Sequence, residues 1–459
     1  MPIVVSSSVT VEWCRRHDYT GALPSVEGSI DLSQVRIGVV ADDLTGALDT
    51  AGAFASRGLR SRVLTAPADK IDPHYDGDVA IANTHTRNVD AALAIAPVHR
   101  AAKELSDAGW SRLYKKIDST GRGNLAAECK AVMDAREAVA AIVCPAFPQM
   151  GRTVVGGILT VNGAVVTEAI EGSDALSAVS SDSLLNLLAL EGELAPGLVP
   201  LSVVRRGTDA IRMKISELAS QEINAIVVDA ETDSDLQAVA DCSVSYSDHI
   251  LVGSTGLAYA LGNLFRPDIE AFALNIRTNS PFIIVAGSRH QTTKSQVESL
   301  ASTGVAEVIS VSPEPVLSKR EERVVYSRQV MADLHRILSD GRNVVLEWEE
   351  FDHPQDSDSL EDATVLANFA GLIVYGIARK LSLGGLMITG GDTAFGVLRA
   401  LGASTVDVSG EIEHGAPLGV IGDGVGAGLT IVTKAGSFGD EEFFVRVLEA
   451  IRKSGEPKN

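Results

Sequence analysis

The stretch Val35-Arg36-Ile37-Gly38-Val39-Val40-Ala41-Asp42-Asp43-Leu44-Thr45-Gly46-Ala47-Leu48-Asp49 carries the most information about fold. Val35 to Ala41 is a short apolar run with β-branched residues and reads as a buried strand. Leu44, Leu48, Ala51 and Ala55 follow at helical spacing, and the Gly and Ala around them imply a helix packed closely on a sheet. A buried strand running directly into such a helix is the repeating unit of an α/β fold. Ligands of open α/β sheets bind at the carboxyl ends of the strands, where this chain has Asp42 and Asp43. Helix capping accounts for one of these acids, but not for two with Asp49 a turn later. Either Asp42 or Asp43 is therefore a candidate general base.

The alternation continues outward from this unit. Val79–Ala82, Leu113–Ile117, Val139–Cys144, Leu201–Val204, Ala225–Val228 and Ile250–Val252 read as strands. Helical segments lie between them, over 90–105 and 124–135 among others. Residues 266–280 break the rhythm and read as a linker. A second α/β set then starts at Phe282–Ala286 and continues through Val344–Leu346, Leu386–Thr389 and Thr430–Lys434, with a long helical segment over 359–381. The expected organisation is an extension at 1–34, one domain at 35–265, the linker, and a second domain at 281–459. Each domain is expected to be a mostly parallel sheet flanked by helices, with the active site in the cleft between them.

Composition narrows the function. The chain has 459 residues, 45% hydrophobic and 22% charged, with a formal net charge of −21. Such a charge repels nucleic-acid backbone and anionic lipid, and no basic run offsets it, so neither nucleic acid nor a membrane is an expected partner. No apolar run reaches the roughly 18 residues of a membrane span, and the first 35 residues do not form a signal peptide. The 4 cysteines include no CxxC pair, so a zinc site has no support, and no metal-ligating residue is assigned. The expected location is cytoplasmic.

An acidic chain that binds an anion must gather its cations locally, and the strand ends do this. Tyr114-Lys115-Lys116-Ile117-Asp118-Ser119-Thr120-Gly121-Arg122-Gly123-Asn124 combines three cations with Gly-flanked backbone at a helix start, a suitable anion cradle. Arg87 ends the strand-end loop Asn83-Thr84-His85-Thr86-Arg87, in which a lone His85 reads as structural. Arg152 ends the stiff loop Cys144-Pro145-Ala146-Phe147-Pro148-Gln149-Met150-Gly151-Arg152, in which Cys144 reads as a buried structural thiol. In the second half, Thr389-Gly390-Gly391-Asp392-Thr393 turns a strand into a helix and suits a backbone phosphate site. It is neither a Walker A motif nor a dinucleotide fingerprint. Gly287-Ser288, Gly415-Ala416-Pro417-Leu418-Gly419 and Lys434-Ala435-Gly436-Ser437-Phe438-Gly439 are further Gly-rich candidates for nucleotide contact.

Taken in order, ADDLTGALD at 41–49, KKIDSTGRGN at 115–124, CPAFPQMGRT at 144–153, GSTGLA at 253–258, GSR at 287–289, GGDTA at 390–394, GAPLG at 415–419 and KAGSFG at 434–439 resemble the four-carbon acid sugar kinase family. The resemblance implies two domains, with the sugar acid held by the first and ATP by the second. It implies transfer of phosphate to the terminal C4 hydroxyl of an acid such as threonate, erythronate or 3-oxo-tetronate, with Mg2+ accompanying ATP. By motif, Ser288, Gly390, Gly391, Asp392, Thr393 and Gly436 would contact ATP. Asp42, Asp43, Lys116, Asp118 and Arg122 would line the substrate side, with Arg87 and Arg152 as further carboxylate binders, and the domains would close around both ligands.

The chain departs from the family where Ser437 replaces a second Gly, and where Asp174 is followed by Ala175 rather than Pro. The rival readings are an ATP-dependent acid-activating ligase and a non-catalytic sugar-acid sensor. A homodimer is compatible with the sequence, but no feature requires one.

Overall fold

The computed structural model describes residues 36–455, apart from 67–70, 73, 170–178, 191–192, 267–279 and 351–358. The expected extension at 1–34 and nearly all of the expected linker lie outside the described residues. In the first half, β1 (Ile37–Ala41), β2 (Ser61–Leu64), β3 (Val79–Asn83), β4 (Arg112–Lys116) and β5 (Ala140–Cys144) are followed by β6 (Arg152–Val155), β7 (Ile158–Val161) and β8 (Ala164–Val165). The half continues with β9 (Pro196–Val199), β10 (Ala225–Val228) and β11 (His249–Gly253). The second half contributes β12 (Phe282–Ala286), β13 (Ala306–Val311), β14 (Asn343–Trp348), β15 (Gly385–Thr389), β16 (Thr405–Glu413), β17 (Ala416–Ile421) and β18 (Thr430–Lys434).

Fifteen of these strands form one continuous sheet, in the order β13-β14-β12-β15-β18-β17-β16-β2-β3-β1-β4-β11-β5-β10-β9. Pairing is parallel from β2 to β9 and from β13 to β18. It is antiparallel only around β16 and β17. The two halves thus share a sheet edge. Thr405, Val406, Asp407 and Val408 pair with Leu64, Val63, Arg62 and Ser61, and Arg62 grips the Asp407 carboxylate at 2.6 and 3.0 Å. The antiparallel seam reverses the strand direction of the second half. Sheet twist of about 20–25° per step accumulates over the six pairings between β1 and β15 and swings the two sets of carboxyl ends toward each other.

The parallel strands are buried on both faces, as continuous apolar runs require. β1, β3, β5, β12 and β15 have every residue buried. Leu201–Val204, expected as a strand, is a short helix. The strand is the preceding Pro196–Val199, where a proline is tolerated on the sheet edge, and Asp229 accepts the Leu201 N–H at 3.0 Å to start the helix. The loop after Cys144 runs into a separate antiparallel sheet, β6-β7-β8, rather than staying irregular. The polar segment at 312–328 falls in the helices Pro313–Leu317 and Arg320–Ser339. Among the described residues, only the helix containing Glu361–Ala378 is long and apolar enough to cross a membrane by length and composition. Its Phe369, Ala370, Ile373, Val374 and Ile377 are buried in the core.

The helix Leu44–Ala55 joins the halves, and all of its residues are buried. Its Gly and Ala positions permit this. A Cβ at Gly52 would lie 2.8 Å from Glu411 Cγ and 3.1 Å from Pro417 Cβ, so the β16–β17 hairpin rests directly on the helix backbone. Gly415 to Gly419 therefore belongs largely to a strand packed on this helix. Replacing an exposed helical Gly would stabilise by up to about 1 kcal/mol, but here overpacking decides the sign. Gly52→Val is expected to destabilise the protein by roughly 1–3 kcal/mol in urea unfolding. An unchanged midpoint would show that helix and hairpin separate without cost.

Candidate functional site

Asp42 and Asp43 follow β1 and are tied down by one arginine. Arg87 binds Asp42 through two hydrogen bonds of 2.7 and 2.9 Å and reaches Asp43 Oδ1 at 2.6 Å. The backbone makes this possible: the N–H groups of Thr86 and Arg87 both donate to the Asp42 carbonyl, which fixes the loop after β3 beside the end of β1. Asp43 also caps the Leu44–Ala55 helix, accepting the Gly46 N–H at 3.1 Å. Burial alone would raise the Asp42 pKa, but Arg87, Lys115 and Lys116 overcome it and hold the carboxyl below its ordinary value. Burial likewise opposes the charge on Arg87, and Asp42 and Asp43 more than restore it.

At the end of β4 the side-chain alternation of a strand separates two adjacent lysines. Lys115 is buried against the helix Leu125–Arg136 and paired with Glu128 at 2.8 Å. It therefore supports the fold and does not join the anion cradle expected from the sequence. Lys116 turns toward Asp43, and its Nζ lies 2.8 Å from where a Gly46 Cβ would be. Burial lowers its pKa, partly countered by Asp43. Asp118 receives Arg122 at 2.8 and 3.1 Å and the Thr120 N–H at 2.9 Å. Burial would raise Asp118, yet Arg122, Arg87 and Thr120 hold it well below the usual carboxylate range.

Arg152 donates to the Met150 carbonyl and pairs with no carboxylate among the described residues. Its charge is felt alongside Asp118 and Arg122. Cys144 is buried and its thiol is pushed up to about 12, in keeping with a structural role.

The second half gathers its predicted residues equally closely. Gly390 has φ +93°, and its Cβ position lies 3.7 Å from both the Ser288 N and Thr393 Oγ1. A side chain at Gly287 would overlap Thr393, and one at Gly436 would overlap Ser288 Oγ. Ser288, Gly390, Thr393 and Gly436 thus pack together in one cluster. Beside it, Ser288, Arg289, Thr293, Lys294, Glu347 and Trp348 line a cavity of about 320 Å³.

The two groups meet. Asp43 Oδ2 and Thr45 Oγ1 lie 3.3 and 3.1 Å from the Cβ position of Gly391. His85, at a left-handed φ of 54°, stacks on Phe395 of the Gly391–Leu401 helix, with ring centroids 4.0 Å apart and planes at 14°. Burial lowers the His85 pKa, opposed by Asp392 and Asp43. Arg152 lies 5.7 Å above the Phe438 ring. Thr45, Phe395 and Phe438 are not among the candidates read from the sequence, and His85, read there as structural, lies at this junction. The clue was available for His85 and Thr45, because both lie in strand-end segments that also supply site carboxylates or arginines.

A family model of a sugar-binding N-terminal domain matches residues 37–261, and one of a nucleotide-binding C-terminal domain matches 283–444. The chain is 32% identical over 415 residues to the D-threonate kinase of Salmonella typhimurium, covering 88% of this chain and 95% of that protein. It is 33% identical over 438 residues to the D-threonate kinase of Bordetella bronchiseptica, covering 91% and 98%. The 3-oxo-tetronate kinase of Burkholderia multivorans is 27% identical over 430 residues, covering 91% and 98%. A Haemophilus influenzae protein of solved structure shares the fold, with a TM-score of 0.70 at 21% identity over 91% of this chain and 100% of that one. The chain belongs to the four-carbon acid sugar kinase family.

Proposed function

We propose that this protein transfers the terminal phosphoryl group of ATP to the C4 hydroxyl of a four-carbon sugar acid, with D-threonate the favoured acceptor. The observation that carries this reading is the position of Asp43. It leaves the acid-side charge network and reaches the Gly391 turn, so one carboxylate stands between the two ligand groups. The preference for D-threonate rests on the D-threonate kinases at 32–33% identity, against 27% for a 3-oxo-tetronate kinase. In this reading residues 35–265 hold the acid, 281–459 hold the nucleotide, and the enzyme is cytoplasmic.

The acid side supplies Arg87, Lys116, Arg122 and Arg152 against Asp42, Asp43 and Asp118, an excess of cations in a chain of net charge −21. That excess suits one substrate carboxylate. Arg122, oriented by Asp118, and Arg152, which has no acidic partner among the described residues, are the groups assigned to it. Both oxygens of Asp42 are engaged by Arg87, which leaves Asp43 as the acceptor of the C4 hydroxyl proton. Arg87 holds that carboxylate in place. Phosphoryl transfer depends mainly on such positioning and charge stabilisation.

On the nucleotide side, Ser288, Gly390, Thr393 and Gly436 pack in one cluster, with Gly391 facing Asp43 and Thr45, and glycines at these turns permit close backbone approach to phosphates. The cavity beside Ser288 accommodates the nucleoside. Among the described residues no cluster of three or more acids, histidines or cysteines could hold a metal. The donors instead fit Mg2+ carried by the phosphates, which needs only one or two protein carboxylates. Asp392 would hold it, and it would neutralise charge on the phosphates.

ADP formation with Mg-ATP, measured across D- and L-threonate, D- and L-erythronate and 3-oxo-tetronates, tests the reading. Turnover is expected with D-threonate, and pyrophosphate release instead of ADP would identify a ligase. Asp43→Asn is expected to lower kcat by about 10²–10⁴-fold while ADP affinity, read by calorimetry, stays unchanged. Near-full turnover of that variant would remove Asp43 as the base.

Asp118 gives a pH signature. A carboxyl depressed in the folded state stabilises the protein above its unfolded pKa near 3.9, and the contribution is lost as the pH falls toward the folded value. Asp118→Asn should therefore be less stable than the wild type at pH 7, by roughly 1.5–3 kcal/mol. The gap between the urea midpoints of the two proteins should narrow as the pH falls below the unfolded pKa toward the folded one, and a gap independent of pH would contradict the assignment.

A further inference from the structure

Lys434, at the end of β18, is fully buried and pairs with no carboxylate among the described residues. An unpaired buried cation is costly, and here burial pushes the pKa down to about 7. The rings of Phe443 and Phe444 lie 5.7 and 5.8 Å from the ammonium. A strand position in an apolar core would ordinarily carry Leu or Met, so the amine calls for an explanation that packing does not supply.

Its hydrogen bonds supply one. Lys434 Nζ donates to the Ala435 carbonyl at 2.9 Å and to the Gly436 carbonyl at 3.3 Å. The Gly436 carbonyl also receives Thr293 Oγ1 at 3.0 Å. Gln296 Nε2 donates to the carbonyls of Phe438 at 3.0 Å and Asp440 at 2.8 Å. The segment after β18 thus has its carbonyls drawn into the protein by three side chains. A peptide unit whose C=O points inward directs its N–H the opposite way. The Lys434 carbonyl in turn accepts the Gly390 N–H at 3.2 Å, which ties this loop to the Gly390–Gly391 turn. Gly436 itself packs on Ser288.

We propose that Lys434 is the positioning residue of the nucleotide's phosphate loop: by holding the Ala435 and Gly436 carbonyls inward it presents the loop's N–H groups, and its own charge beneath them, to the polyphosphate. The proposal rests on the reading of this half as the ATP side. Lys434 touches the loop and acts on the phosphates through it. The anion compensates the buried charge, so the cost of the unpaired ammonium is recovered when nucleotide binds.

The test is calorimetric binding of ATP and of ADP, without acid, to the full chain and to Lys434→Met, beside thermal unfolding of both. Met keeps the volume and removes the unpaired charge, so the midpoint is expected to hold or rise while both affinities fall tenfold or more. A residue that served stability alone would show the reverse: a lower midpoint and unchanged affinity. In steady state the KM for ATP should rise, with that for the acid unchanged. ATP binding by Lys434→Met equal to that of the wild type overturns the proposal. Should Lys434→Met fail to fold, Thr293→Val removes another donor from the Gly436 carbonyl, and unchanged ATP affinity there overturns it equally. A wild-type protein that binds neither nucleotide would instead overturn the ATP reading, and with it this proposal.

Discussion

The Leu44–Ala55 helix is buried along its whole length, and much of the architecture follows from that requirement. A helix in an open α/β sheet normally shows one face to solvent, so this one needs cover from two sides. The first half covers one side with its own sheet and the Thr255–Phe265 helix, and the second half lays the β16–β17 hairpin and the Gly391–Leu401 helix on the other. Because the helix begins at Asp43, the same packing that buries it delivers the Gly391 turn to the carboxylates at the end of β1. The meeting of the two halves at these carboxylates is thus a consequence of core formation.

Arg87 plays the corresponding part in the electrostatics. Two carboxylates side by side at a buried strand end repel each other, and one would take up a proton if left alone. A guanidinium from the loop after the neighbouring strand satisfies both, at the expense of its own hydration. Its planar fork engages Asp42 through two nitrogens and still reaches Asp43, which a lysine ammonium does not do in that geometry. The Asp118–Arg122 pair repeats the arrangement one strand further on. Such pairs add little net stability when buried; they fix geometry, which is what a positional mechanism uses.

Much of this was legible in the sequence where a signal is local. β12 and β18 match their apolar runs residue for residue, and β1, β3, β4 and β5 fall within a residue or two. The candidate residues that the structure brings together could be picked out because they lie at strand ends, where a simple rule applies. What stayed hidden depends on strand order, which no local pattern encodes. Arg87 meets Asp42 because β3 is the neighbour of β1, and Lys115 is lost to Glu128 because the helix after β4 covers that face. The seam escaped for a similar reason. Ser61–Leu64 is too short and polar to announce a strand, and its partner lies more than three hundred residues away. Leu201–Val204 was misread because a four-residue apolar run has no period, and the side chain that starts the helix, Asp229, is distant in sequence.

The continuous sheet also constrains how the halves can move. A cleft between domains joined by a linker alone can open like a hinge, whereas here a four-residue antiparallel ladder and the Arg62–Asp407 pair cross the boundary. Both side chains of that pair are partly exposed, so the ion pair adds little. The ladder, with Val63 and Val406 fully buried in it, is the stronger tie. Separation of the halves at the seam would expose those valines and unpair backbone groups, whereas a change in sheet twist costs neither. Relative motion of the halves is therefore cheapest as flexing of the twist between β1 and β15. Its first contacts to yield would be the small ones between the halves: His85 on Phe395, Arg152 over Phe438, and Asp43 and Thr45 against Gly391. These contacts all sit at strand ends and helix starts, so a small rotation of one half alters them together while the core beneath keeps its packing.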